Sequence, residues 1–389
     1  MNSNRWTLAL TAAGLVSAPA LLQAEEKVSM VETALSATTL SGYVDTSAHW
    51  NPGTGNANPA PYAFNAGKQD GFNLNSVVLQ IQKPISEEAW SAGYTAMLMF
   101  GPDAPGVTGS AGEFVREAHV DLSMPIGNGL QFQIGRFGNI IGYESTTSYV
   151  NPNYTHSYAW SVQPTEHTGI LATYKFCDAF SAMVGVANEV TTGPINEKSQ
   201  VESKKAIVSL LTFTAATNWG FLGGSTFYAG VDNGPGTGHP AHDRTHLYLG
   251  TTVNTPVKGL VLGAEYDSIY ETDVLGVDTG YGMNAVGYVV YKLTEKTTLA
   301  LRGEYARGAY LGALADANNG TLGNPLHKVV AGTATLQYDL WKNVISRLEF
   351  RWDHAADGNE AFGGNGSLGT TAPTKKNEYL IAANVIYKF

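Results

Sequence analysis

Charged side chains in this chain recur at every second position. Arg302 and Glu304 stand two apart, as do Glu265 and Asp267. Arg347, Glu349, Arg351 and Asp353 make a longer run, and Glu117, His119 and Asp121 another. In an extended strand successive side chains point to opposite faces, so each run puts its charges on one face. The residues between them are apolar or small: Leu301, Gly303 and Tyr305; Leu348, Phe350 and Trp352; Ala118, Val120 and Leu122; Ala264 and Tyr266. A surface lined this way can sort ions in a passage, and its neighbouring Arg and Glu side chains can equally stiffen the wall that carries them. With Asp45 added to the acidic set, the basic group Arg302, Arg347 and Arg351 would face Glu117, Asp121 and Asp45 and set a transverse field. Covalent chemistry is not indicated, because parity brings no nucleophile, base and orienting group together.

Two other clusters carry chemical possibilities. Residues 138–167 hold Tyr143, Glu144, Tyr149, Tyr154, His156, Tyr158, Trp160, Glu166 and His167. Aromatic rings there could stack on sugar rings, and the Glu and His residues could tune charge. His239, His242, Asp243 and His246 are metal-ligand types, but Gly238 and Pro240 disfavour the helix that would align them, and no second ligand group accompanies them. No metal and no cofactor is expected.

The elements that must position these residues are short alternating segments. They lie near 39–50, 72–83, 90–100, 113–124, 129–137, 168–176, 179–188, 206–216, 220–231, 243–254, 258–268, 281–293, 296–306, 327–339, 343–354 and 377–389. Each is close to the ~9–11 residues that cross an apolar bilayer core as a tilted strand. The last reads Tyr379, Ile381, Ala383, Val385, Tyr387 and Phe389 on one face and ends on an aromatic. Short links (84–89, 125–128, 177–178, 217–219, 255–257, 294–295, 340–342) alternate with long ones (51–71, 101–112, 138–167, 189–205, 232–242, 269–280, 307–326, 355–376). That alternation is the pattern of an all-β, up-and-down antiparallel transmembrane barrel of about sixteen strands, with short periplasmic turns and long extracellular loops. A soluble β-sandwich also alternates, but it would not sort its hairpins by length. Charges on the lipid face would cost about 2–4 kcal/mol each near the midplane, so their sorting to the inner face is enforced.

Arg5, the apolar stretch from Trp6 to Leu22, and Ala24 before Glu25 and Glu26 read as a signal peptide over 1–24. Residues 25–38 follow as a short periplasmic lead-in, and 39–389 as the barrel. The formal charge of −10 argues against nucleic acid. The single Cys177 forbids an internal disulfide and is expected to be a partly shielded turn residue.

Three blocks carry a family resemblance: Ser41-Gly42-Tyr43-Val44-Asp45-Thr46, Phe72-Asn73-Leu74-Asn75-Ser76-Val77-Val78-Leu79-Gln80-Ile81-Gln82-Lys83-Pro84, and Met97-Leu98-Met99-Phe100-Gly101-Pro102-Asp103-Ala104. Val115 to Leu122 and Phe132 to Phe137 continue it. Over its first ~140 residues the chain resembles the OmpL-like outer-membrane β-barrel porins of bacteria, and beyond them by barrel pattern. The resemblance implies an outer-membrane location and a pore, and it transfers no binding residues. The acidic constriction-loop motif of the general enterobacterial porins is absent.

The expectation is therefore an outer-membrane porin, exported by its signal peptide, in contact with outer-membrane lipids and passing small hydrophilic solutes or ions. By analogy with porins of similar size it could form a homotrimer. The alternatives are a barrel with an occluded lumen acting as an adhesin or receptor, and a barrel hydrolase. The loop 138–167, third of the long loops, is the candidate constriction.

Overall fold

The computed structural model describes residues 31–32, 37–53, 57–60, 68, 70–108, 114–192, 195–196, 204–236, 243–274, 277–308, 311, 326–365 and 372–389. The expected signal peptide 1–24, most of the expected lead-in, His239 and His242 lie outside them. Sixteen strands form the wall: β1 (Thr39–Trp50), β2 (Gly71–Lys83), β3 (Ser91–Phe100), β4 (Val115–Met124), β5 (Leu130–Gly138), β6 (Glu166–Cys177), β7 (Phe180–Ala187), β8 (Ala206–Thr214), β9 (Thr226–Pro235), β10 (Asp243–Asn254), β11 (Leu260–Val274), β12 (Val277–Lys292), β13 (Thr297–Gly308), β14 (Lys328–Trp341), β15 (Val344–Ala355) and β16 (Asn377–Lys388). Each pairs antiparallel with the next. β16 then pairs with β1, from Ile381↔Trp50 to Lys388↔Tyr43, and closes the sheet. Closure leaves no unpaired edge, as a lipid-embedded sheet requires. A two-residue segment, Val31–Glu32, pairs beside the start of β1.

Burial runs opposite to that of a water-soluble protein. Leu348 is 57% exposed and Phe350 47%, whereas Glu349 between them is 1% exposed and Arg351 beside them 0%. The same inversion recurs on β11, β13 and β16, with Tyr379, Val385 and Tyr387 turned outward. Apolar surface this extensive fits contact with lipid and excludes a sandwich in water.

Two expected boundaries move. The ninth strand begins at Thr226 rather than 220, because Gly220 (φ 62°) and Gly224 (φ 82°) take left-handed conformations that end a strand. The expected long loop 269–280 is mostly strand: Ile269↔Gly282, Glu271↔Gly280 and Val274↔Val277 continue the β11–β12 ladder. Its Tyr, Thr and Val content suits pairing, and a paired ladder need not stop at the membrane surface. Cys177 ends β6 and is exposed, not shielded.

Register shifts interrupt the period-two order at the turn ends of β6 and β14 and, with more consequence, within the β1–β2 and β3–β4 pairs. Asp45 pairs Ser76 while Thr46 pairs Leu74, leaving Asn75 extra. Met97 pairs Glu117 while Leu98 pairs Val115, leaving Arg116 extra. A bulge re-aims side chains past it. Several long loops fold back over the barrel mouth, where Ala60, Tyr158, Leu326, Ala361 and Phe362 share an apolar cluster with Leu380 and Ala382 of the wall.

Candidate functional site

Residues 139–165 link β5 to β6. Phe137, Ile140 and Ile141 pack against Leu171, Leu210 and Tyr248 on the inner wall, so the loop turns into the barrel instead of standing above it. Gly142 makes that turn at φ 112°, with the Gln163 side chain where a Cβ would project. The loop then contacts strands on the far side of the barrel from its own root.

A buried segment without regular structure must have its backbone groups satisfied by something else. Here the inward charges of the wall do so. Glu265 accepts from the Tyr143 amide (3.0 Å). Glu349 accepts from the amides of Tyr154 (2.6 Å) and Thr155 (2.9 Å) and from the Thr155 hydroxyl (2.6 Å). Glu304 accepts from the Tyr158 amide (2.8 Å). In the other direction, Arg347 donates to the carbonyls of Ser148 (3.0 Å) and Asn151 (2.8 Å). Arg302 donates to those of Thr155 (2.5 Å) and His156 (3.2 Å), Arg351 to that of His156 (2.5 Å), and Arg244 to that of Val162. Side-chain links add to these: Tyr158 donates to Asp353 (3.0 Å), and Gln163 donates to both Glu265 and Asp267 (3.0 Å each).

Within the loop, Glu144 meets Arg302 at 2.8 Å and accepts from the Ser157 amide at 2.9 Å. Burial alone would raise its carboxyl, but Arg302 and these hydrogen bonds outweigh it and hold it at about 2. Burial pushes His156 beside it (2.9 Å) below its ordinary value, against the pull of Glu144. The loop's ion pair is therefore Glu144 with Arg302, and the neutral imidazole donates to the carboxylate. In the second extracellular loop, Asp103 pairs with Lys68 of the first; burial raises its carboxyl to about 6, and Lys68 only partly offsets this.

The wall from β4 to β6 differs. His119 lies between Glu117 (3.6 Å) and Asp121 (3.0 Å), and the side chains of Glu117 and Asp121 keep 18% and 11% of their surface. Gln133 donates to Asp121 (3.3 Å). Arg116 reaches Glu166 (3.4 Å), Glu117 (3.7 Å) and the hydroxyls of Thr146 and Thr147. Below the loop's level, inward Gln80, Gln82, Gln131, Gln133 and Thr173 remain partly exposed.

Every charged wall residue expected from parity does face inward, and most serve the loop. Asp45 is held by Asn75 (2.7 Å) and Asn384 (2.6 Å) and also meets the loop through the Ser148 side chain. It sits on β1, separated from β15 only by β16, so it does not oppose Arg347 and Arg351 across the barrel. Arg347 is committed to loop carbonyls, and Arg351 to the His156 carbonyl and the wall carboxylates Asp353 and Glu304, so the open basic wall of the transverse-field idea is not present. Of the loop aromatics, Tyr143 stacks on Tyr288 (4.1 Å) and Tyr158 lies under Arg351 (5.2 Å); both are buried and out of reach of a solute. Tyr149 packs edge-on against Tyr43, Tyr154 bonds His49 (2.7 Å) and Ser47 (2.9 Å), and Trp160 stacks on His156 (4.1 Å). Glu166 and His167 open β6 rather than ending the loop. Asp243 is exposed and pairs with Lys204 (3.2 Å), whereas His246 turns inward, so the two share no site.

Arg116 and Asn75 escaped the parity reading because bulges break it. Gln163, Arg244 and Tyr288 escaped it because their partners are fixed only by the loop's path.

A closed sixteen-stranded antiparallel barrel with a charged interior and an inward third loop is a porin-type outer-membrane barrel. Residues 37–389 match the family described as "Putative beta-barrel porin-2, OmpL-like", and the chain belongs to that family. No curated protein is significantly similar in sequence. Among solved structures, an anion-selective porin from Comamonas acidovorans is similar in fold (TM-score 0.60, 13% identity, 90% of this chain and 99% of that one). So are the outer-membrane channel DcaP of Acinetobacter baumannii (0.55, 11%, 90% and 97%) and OmpT of Vibrio cholerae in its trimer form (0.55, 13%, 90% and 99%).

Proposed function

We propose that this protein is a passive channel for small hydrophilic solutes, narrowed by residues 139–165. The observation that carries the reading is the loop's commitment to β11 and to β13–β15 through Glu265, Arg302, Glu304, Arg347 and Glu349. That pins the loop to one side of the lumen and leaves the passage beside β4 and β5. The wall there carries Glu117, His119, Asp121, Ser123 and Gln133, with glutamines and threonines below. The charge presented to a solute is acidic, so small cations pass in preference to anions. Residues 1–24 direct export and are removed. Three copies associate, as the trimer form of the Vibrio cholerae neighbour suggests for its own fold.

The test is single-channel conductance of the purified, refolded protein in a planar bilayer under a salt gradient. Discrete steps with a cation-selective reversal potential are expected. A folded but silent barrel would overturn the channel and favour a receptor role for the loops at the mouth.

A further inference from the structure

On the outer, lipid-facing side of the wall two cations stand directly opposite one another. Arg307 of β13 pairs Lys328 of β14 in the ladder, and both side chains point outward and are exposed. They lie where their strands meet a long loop, which is the extracellular end. Like charges directly opposed on one face of a sheet destabilise it. Among the described residues neither side chain has an ion pair or a hydrogen bond to relieve this. The Asp357 carboxylate instead accepts from the amides of His327 (2.7 Å), Lys328 (3.2 Å) and Asn359 (3.0 Å). Arg307 lies over the ring of Tyr281, 5.6 Å from its centroid, and Tyr281 with Tyr270 opposite it forms part of an exposed interfacial belt.

Toward the midplane from this pair, small residues replace the bulky apolar side chains of the outer face. Ala264, Gly287, Gly303 and Gly332 form one row across β11 to β14, each opposed to the next. None of the three glycines takes a left-handed φ, so the backbone does not demand them. A Cβ at Gly287 or Gly303 would meet nothing within 4 Å, and one at Gly332 only the edge of Trp352, at 3.9 Å. Glycine inside a strand weakens it and marks the close approach of a ligand or another backbone. The row is a furrow ~14 Å long at the usual strand spacing. Gly303 and Gly332 each lie four residues from the cation on their own strand, a distance of ~13 Å along it.

We propose that Arg307 and Lys328 bind the phosphate of an anionic outer-leaflet lipid whose acyl chain lies in the furrow. Charge complementarity carries the assignment. A phosphate between the two side chains turns their repulsion into two attractions, and the guanidinium offers it paired N–H donors. The aromatic belt sets the depth of the headgroup, and the furrow receives the chain without displacing a side chain. The site stands apart from the channel reading, since a barrel that conducts nothing would still hold the lipid.

The test is native mass spectrometry of the full folded chain in detergent, titrated with bis-phosphorylated lipid A. Retained lipid A is expected, with its dephosphorylated form held at least ~10-fold more weakly. Arg307→Gln with Lys328→Gln should weaken lipid A by at least ~10-fold. Lys258→Gln with Lys296→Gln, both exposed on the short-turn rim, should leave it unchanged. Lys328→Gln alone should weaken the lipid while leaving the lipid-free barrel at least as heat-stable, because a repulsion is removed. Gly303→Leu should lower retention by filling the furrow. Equal retention of the dephosphorylated lipid, or equal loss in the two double variants, overturns the site. Displacement of lipid A by inorganic phosphate at equal concentration overturns it in favour of a free anion. Gly303→Leu that breaks up an oligomer without changing lipid retention gives the furrow to a second copy of the chain and overturns it too. If the Arg307→Gln, Lys328→Gln double variant does not fold, Lys328→Gln decides, and unchanged lipid A binding contradicts the proposal.

Discussion

The inner wall at the level of the third loop has two parts with similar sequence patterns and different jobs. On β13 and β15, Arg302, Glu304, Arg347, Glu349 and Arg351 are buried beneath the loop and serve as hydrogen-bond partners for its backbone. On β4, Glu117, His119 and Asp121 pair among themselves and keep side-chain surface. Both runs alternate charge with apolar residues. The loop's path makes one a scaffold and, on the proposed channel reading, leaves the other to meet a solute. A charge facing a lumen can act on a solute only where nothing covers it.

The difference can be broken from the scaffold side first. Arg302→Met leaves Glu144 buried without its guanidinium and Glu304 with only Arg351 at 3.7 Å, a loss of about 3–5 kcal/mol by the usual cost of breaking a buried pair. Urea unfolding in lipid vesicles should show it, together with noisier and larger conductance steps. Glu349→Gln sets an amide against the Tyr154 and Thr155 donors; with charge-assisted hydrogen bonds lost, about 1.5–3 kcal/mol is expected in the same assay.

Acid sharpens the contrast. Glu144 is held at about 2, below its ordinary 4.5, so its contribution is complete above 4.5 and declines as pH falls toward 2. Protease cleavage within 144–160 should rise across that window. Stability that is constant from pH 5 to 2 would contradict the Glu144–Arg302 pairing. The smallest effect on stability belongs to the other wall. Glu117→Gln with Asp121→Asn should move the reversal potential toward anions while costing less unfolding stability than Arg302→Met, because both carboxylates keep side-chain surface and His119 can be solvated in their place.

Much of this was legible in the chain. Period-two alternation placed Arg351, Glu349, Glu265 and Asp267 on the inner face, and the aromatic C-terminal strand closes the barrel with β1 as its pattern implied. The loop 138–167 was identifiable by its length and order, but its direction was not. Tyr143 and Tyr158 looked like a surface for solutes and proved to be packing, because sequence shows which residues are aromatic and not which wall they reach. Arg116 was hidden by a bulge, which shifts parity without a distinctive residue type.

On the proposed channel reading, residues 139–165 border the conducting path on its β4 side. Thr147, which accepts from Arg116 at 3.1 Å, lies at that border. Cysteine at this position, in a Cys177→Ser background, should react with a bulky cationic thiol reagent during single-channel recording and lower each conductance step by a discrete fraction. Complete modification that leaves the step size unchanged would mean that ions pass elsewhere, and the account of the constriction would fail.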